Sequence, residues 1–242
     1  MRLFLLAVGL TSAILTAAVN PASLPFHGQD KAALQRGANF FMNYCGGCHS
    51  LLYMRYNQLA RSLDLTLSDG IVDTDLFFNN LVFTHAKSFE PIRVSMPFKD
   101  ASRWFGAIPP DLTLSAKEKG AAWIMAYLKS FYRDSSRPFG SNNGLVPNVA
   151  MPNVLEPLIG HVIAIRGGSK NSTILQMRHV GKGEMTADEL DHSLQDLVTF
   201  LVYVAEPARE NRYFIGVFVI LFLFVFLLLA WKIKEFYWQR LP

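Results

Sequence analysis

The sequence has 242 residues, 51% of them hydrophobic, and a formal net charge of +4, which allows one or two domains with a sizeable core. Between Val19 and Ala208 there are 17 Lys plus Arg and 17 Asp plus Glu, so the excess sits in Arg2 and in the tail, where Arg209, Arg212, Lys232, Lys234 and Arg240 outnumber Glu210 and Glu235. A basic pI carried by the flanks of hydrophobic segments, around a neutral middle, excludes a nucleic-acid-binding face.

At the amino terminus Arg2 precedes an uncharged run from Leu3 to Ala18, and Thr16-Ala17-Ala18 supplies small residues for a signal peptidase. Residues 1–18 therefore read as a cleaved secretory signal, with a retained anchor as the alternative. From Asp30 to Tyr44 the spacing of Leu34, Gly37, Ala38 and Phe41 predicts a helix, with Gly37 letting another helix come close.

That helix runs into Cys45-Gly46-Gly47-Cys48-His49, which holds the chain's 2 cysteines. In an exported head unpaired thiols are a liability, so the two need a common purpose. Three chemistries use such a run: a redox dithiol, half of a zinc site, or a haem attachment point. Zinc needs two more ligands at paired spacing, whereas His27, His85, His161, His179 and His192 lie singly. A thioredoxin-like dithiol follows a strand in a βαβ unit, whereas here a helix precedes. Thioether attachment needs two thiols about one helical turn apart for the vinyl groups, and an adjoining histidine for the iron. Cys45, Cys48 and His49 supply these in order.

Further along, Gly106-Ala-Ile-Pro-Pro-Asp111 is a loop stiffened by Pro109 and Pro110, able to hold a haem edge at a fixed distance. Ser115-Ala-Lys-Glu118 reads as a capping box opening a helix whose apolar face is Trp123, Ile124, Tyr127, Leu128 and Phe131, taken as core packing. The stretch from Gly140 to Asn153 is rich in Gly, Pro and Asn and closes on Met151-Pro152, a loop that can wrap a flat cofactor. Spacing leaves the second axial ligand open between Met151 and Met96, which precedes Pro97; Met185 also remains, and His85 is the best placed histidine.

Leu155 to Gly183 is a polar excursion containing Arg166-Gly-Gly-Ser-Lys170, either a hairpin or a surface loop. Thr186-Ala-Asp-Glu189 is a second capping box, followed by Leu190, Leu194, Leu197, Val198, Leu201 and Val204 on one face up to Glu206-Pro207. This helix should pack across the one before Cys45. Tyr213 to Trp231 is 19 residues without a charge, about 28 Å of helix, which matches a bilayer's hydrocarbon thickness. Beyond it Lys232, Lys234 and Arg240 face only Glu235, which puts residues 232–242 in the cytoplasm and the head outside. The expected fold is mainly α, with little β alternation: a cytochrome c-like helical haem domain with long loops over 19–208, plus one carboxyl-terminal transmembrane helix over 213–231.

The order of motifs is Cys45-Gly-Gly-Cys-His-Ser50, Pro109-Pro110-Asp111-Leu112, Met151-Pro152-Asn153-Val154-Leu155, then Ala205-Glu206-Pro207 before a terminal span. It closely resembles the cytochrome c1 family of the bacterial cytochrome bc1 complex, over essentially everything after Asp30. The resemblance implies one covalently bound haem c, with Cys45 and Cys48 as thioether partners, His49 and Met151 as axial ligands of the iron, and Met96 as packing. The family usually carries an arginine near a haem propionate soon after the Pro-Pro-Asp loop, and Lys117 in Ala116-Lys-Glu-Lys119 stands in for it here. Lysine keeps the charge but loses the bidentate fork that suits a carboxylate.

The implied work is to take one electron from the Rieske iron-sulfur protein and pass it to a cytochrome c. Quinol oxidation falls to other subunits, with cytochrome b beside this chain in a dimeric complex of the inner membrane. The chain would then be a non-catalytic redox subunit of ubiquinol-cytochrome c oxidoreductase. Two other readings compete. A stand-alone membrane-anchored cytochrome c feeding a terminal oxidase needs a shorter head and a long tether. A haem peroxidase or reductase keeps an open iron position, which a methionine ligand closes.

Overall fold

The computed structural model describes residues 30–167 and 174–239; the expected signal at 1–18, most of the Gly-Gly-Ser-Lys stretch and the last three residues lie outside the described residues. In chain order the elements are α1 (Lys31–Tyr44), β1 (Leu51–Arg55), α2 (Tyr56–Ser62), α3 (Thr74–Leu81), β2 (Pro91–Ile92), α4 (Phe98–Phe105), α5 (Ser115–Lys119) and α6 (Ala121–Lys129). They continue with β3 (Phe131–Arg133), β4 (Ser141–Asn143), α7 (Glu156–Ile159), β5 (His161–Arg166), β6 (Ile174–Val180), α8 (Ala187–Ala205) and α9 (Arg209–Trp238).

The expected first helix forms as α1, started by the Asp30 carboxylate accepting from the Ala33 N–H. It buries Leu34, Gly37, Ala38 and Phe41 against α8, whose Leu190, Leu194, Leu197, Val198, Leu201 and Val204 are buried as the periodicity predicts. Each Leu, Val or Phe side chain so withdrawn from water contributes about 1.5–3 kcal/mol. The crossing point is Gly37, where a Cβ would lie 2.2 Å from the Asp196 carbonyl oxygen, so glycine is required. At the rim Arg36 grips Asp196 with two hydrogen bonds of 2.6 and 3.1 Å. Both halves of the Thr186–Glu189 capping box are present.

The other expected capping box, Ser115 with Glu118, does not form. The Ser115 hydroxyl donates to the Leu112 carbonyl at 2.7 Å, which turns it away from Glu118, and the Glu118 N–H goes to Leu114 O at 2.9 Å. The expected single helix is also divided, because Gly120 takes φ 88° and separates α5 from α6. Phe131 then leaves the helix for β3.

The chain is mainly α, but the described residues also hold three two-stranded antiparallel ribbons, β1–β2, β3–β4 and β5–β6. The excursion after Leu155 resolves into the hairpin alternative, with β5 and β6 paired from His161↔Val180 to Arg166↔Ile174. Val162 is the buried residue of β5, too little for apolar alternation to show in the sequence.

Helix α9 is 30 residues long, and within Asn211–Trp238 its apolar 18-residue window has a mean hydropathy of 3.1 and is not buried at all. At about 45 Å it exceeds a hydrocarbon core of about 30 Å, long enough for Arg209 and Arg212 at one end and Lys232 and Lys234 near the other to lie beyond such a core. The expected tail therefore begins as the last turns of this helix. Between α8 and α9 stand only Glu206, Pro207 and Ala208. This helix anchors the protein in a membrane.

Candidate functional site

Helix α1 delivers its carboxyl end to the cysteine motif. The Cys45 N–H closes the helix on Phe41 O at 2.8 Å, and helical bonding continues with Cys48 N to Cys45 O at 3.0 Å and His49 N to Cys45 O at 2.9 Å. The two free thiols thus stand one turn apart. Burial, then the neighbouring Cys48, pushes Cys45 up to about 12, and burial raises Cys48 as well. A redox dithiol needs a depressed thiol, and this pair is displaced the other way.

His49 has an orienting partner that the sequence leaves unnamed. Its Nδ1 lies 2.7 Å from the Pro110 carbonyl oxygen, which can only accept, so Nδ1 carries the hydrogen and the Nε2 lone pair is free for a metal. Burial lowers His49 while the Pro110 bond and Asp111 pull the other way. The two-proline loop is latched in place around this contact. The Asp111 carboxylate accepts from Leu52 N at 2.7 Å and Thr113 N at 3.0 Å, Leu112 N donates to Ser50 O at 2.9 Å, and Ser50 Oγ accepts from Val94 N at 2.9 Å. Pro110 thus holds the histidine through its carbonyl, a more specific part than the stiff edge the sequence suggests.

Met151 ends a loop organised from within by buried amides. Asn143 Oδ1 accepts from Leu145 N at 2.9 Å and Val146 N at 3.1 Å. Asn142 Oδ1 accepts from Asn148 N at 2.8 Å, and Ser141 Oγ from Asn153 N at 3.1 Å. These side chains replace the ladder that an irregular backbone lacks. Met151 and Cys45 border the same buried core, as does Met185. Met96 is not among the side chains packed on that core, and His85 is exposed. The surroundings therefore favour Met151 over Met96 as the sulfur facing a cofactor.

Lys117 and Tyr127 each have a polar neighbour that the sequence does not name. Lys117 Nζ lies 3.7 Å from Glu206 Oε1 with a side chain 62% exposed, and Arg212 also pairs with Glu206. In the aromatic stripe Ile124 and Leu128 enter the core as expected, whereas Trp123 stacks on Tyr127 and the Tyr127 hydroxyl donates to Met151 Sδ at 3.5 Å. Burial pushes Tyr127 up to about 12. Sequence reasoning passed over Tyr127 because an i, i+4 aromatic pair is the ordinary mark of a core helix.

A free thiol pair one turn apart, a neutral histidine with its outer nitrogen available, and a methionine on the same core fit a covalently bound haem c. The family model described as the cytochrome C1 family matches residues 21–74 and 85–241. The chain is 43% identical over 215 residues to "Cytochrome c1" of Allochromatium vinosum, covering 87% of this chain and 85% of that one. It is 38% identical to "Ammonia monooxygenase gamma subunit" of Nitrosomonas europaea, covering 89% and 86%. To "Cytochrome b/c1" of Bradyrhizobium diazoefficiens it is 25% identical, covering 88% of this chain and 34% of that longer protein. With a family match across most of its length and a relative this similar over most of both chains, the chain belongs to the cytochrome c1 family and carries that family's one covalently bound haem c.

Proposed function

We propose that Cys45 and Cys48 would hold the haem by thioethers and that His49 Nε2 and Met151 Sδ would ligate its iron, with the Pro110 carbonyl fixing the imidazole. When bound, the haem supplies a one-electron iron couple, and a thioether opposite an imidazole favours the higher potential of a late carrier. The protein's part is to orient His49 through Nδ1 and to hold Met151 on a loop pinned by Asn142 and Asn143. Lys117, assigned to a propionate by resemblance, is the residue whose surroundings support its role least, since Glu206 neighbours it.

The chain is the cytochrome c1 electron-transfer subunit of a cytochrome bc1 complex. In our reading it accepts one electron at a time from the Rieske iron-sulfur protein and delivers it to a cytochrome c, beside cytochrome b in a dimeric assembly. The observation that carries a fixed subunit over a tethered shuttle is the three-residue junction between α8 and α9, where Glu206 pairs with Lys117 on the head and Arg212 on the membrane helix. A relative whose name joins b and c1 in one protein supports the neighbour. Residues 1–18 are a cleaved signal, 19–208 a periplasmic haem domain, 213–231 the inner-membrane span and 232–242 a cytoplasmic segment.

The test is extraction in mild detergent, purification by a tag on this chain and identification of what accompanies it. A di-haem cytochrome b and an iron-sulfur protein are expected. Recovery of the chain alone would favour the stand-alone cytochrome feeding a terminal oxidase. Recovery with monooxygenase subunits would give it the role named in the Nitrosomonas relative.

A further inference from the structure

Helix α6 carries Tyr127 to the sulfur of Met151, with 3.5 Å between the phenol oxygen and Sδ, inside hydrogen-bonding range for sulfur. The ring is clamped: Trp123 stacks on it at 5.1 Å and 8°, and Phe131 meets it edge-on at 5.2 Å and 73°. The backbone of the same residue is tied to the ligand loop, since its carbonyl accepts from Asn143 Nδ2 at 2.8 Å and Asn143 ends the strand that opens that loop. Tyr127 thus grips the loop twice, at its start through the carbonyl and at Met151 through the hydroxyl.

A phenol has one proton to give and a thioether sulfur can only accept. With one sulfur lone pair directed at a metal, the other is what the Tyr127 hydroxyl meets. A hydrogen bond there draws electron density from the sulfur. That weakens its donation to oxidised iron more than to reduced iron, so the reduced form gains.

We propose that Tyr127 is a positioning residue for Met151, its hydroxyl fixing which lone pair of Sδ faces the haem and raising the reduction potential of the site. The proposal rests on Met151 being the axial ligand. It accounts for two features that core packing alone does not require: a hydroxyl directed at sulfur, and a ring held on two sides so that the hydroxyl stays there.

The experiment uses the detergent-purified complex with Tyr127→Phe, Met151→Leu and the double variant, read by redox titration and by the sulfur-to-iron charge-transfer absorption. Phenylalanine keeps the ring between Trp123 and Phe131 and removes only the oxygen. In Tyr127→Phe the haem should remain attached, the band should move, and the reduced-to-oxidised ratio at a fixed ambient potential should fall severalfold, up to about tenfold or ~59 mV. In the Met151→Leu background the second substitution should add no further change. An unmoved band and potential in Tyr127→Phe, or an equal further fall in the double variant, overturns the proposal. If Met151→Leu itself leaves the band in place, the ligand assignment beneath it fails instead.

Discussion

His49 and Pro110, 61 residues apart, meet through a single 2.7 Å hydrogen bond from ring nitrogen to backbone carbonyl. A proline carbonyl cannot be altered by substitution at its own side chain, so the contact is best probed through the latch beside it. Asp111→Ala removes the acceptor for Leu52 N and Thr113 N. We expect a loss of about 1–2 kcal/mol, toward the lower end for charge-assisted bonds because the site is only half-buried. A shift in the electron paramagnetic resonance of the oxidised haem should accompany it as the imidazole loses its fixed orientation. An unchanged spectrum with an unchanged melting temperature would mean that the loop holds without Asp111.

Gly37→Ala should be costly for its size. The added carbon would meet the Asp196 carbonyl at 2.2 Å, with Phe200 Cβ at 2.7 Å, and backbone cannot yield as a flexible side chain can. Separating α1 from α8 should cost about 3 kcal/mol, at the upper end of overpacking effects, and should lower haem incorporation because α1 ends at Cys45. Thermal melting and haem content per chain measure both. A variant as stable as the parent would contradict the helix crossing.

The main helices were legible because their signals are local: Gly37 within the apolar stripe of Leu34, Ala38 and Phe41, and Thr186 with Glu189 three residues on. The grouping of Cys45, Cys48 and His49 was legible because it is set within five consecutive residues. What escaped was set by contacts distant in sequence. Pro110 reaches His49 across a loop, and Asn143 serves as a buried backbone surrogate though asparagine usually marks exposed turns. Ser115 shows the converse, a local motif overridden because the nearby Leu112 carbonyl competes for its hydroxyl.

Glu189 gives α8 a pH dependence. Hydrogen bonds from the Thr186 N–H and hydroxyl hold its carboxyl below the ordinary 4.5. A depressed folded-state value means that the stabilisation is fully present above the ordinary value and is lost as pH falls through the folded one. Glu189→Gln should therefore melt below the parent at pH 7 and approach it in acid. A gap that persists unchanged below the carboxylate range would show that charge plays no part in the cap.

Topology follows from Lys232, Lys234 and Arg240 beyond the apolar span. Alkaline phosphatase fused after Pro242 should be inactive and a fluorescent protein active only in the cytoplasm should report. The opposite pattern would place the haem domain on the other side of the membrane.

The central claim is that Met151 opposes His49 on the iron, and a paired comparison of Met151→Leu with Met96→Leu tests it most directly. Leucine matches methionine in volume and cannot ligate, so either fold should stay within about 1.5 kcal/mol of the parent. With Met151→Leu, the charge-transfer absorption should vanish, the potential should fall and external ligands should bind, while Met96→Leu changes none of these. Loss of the band in Met96→Leu with an untouched spectrum in Met151→Leu would contradict the account.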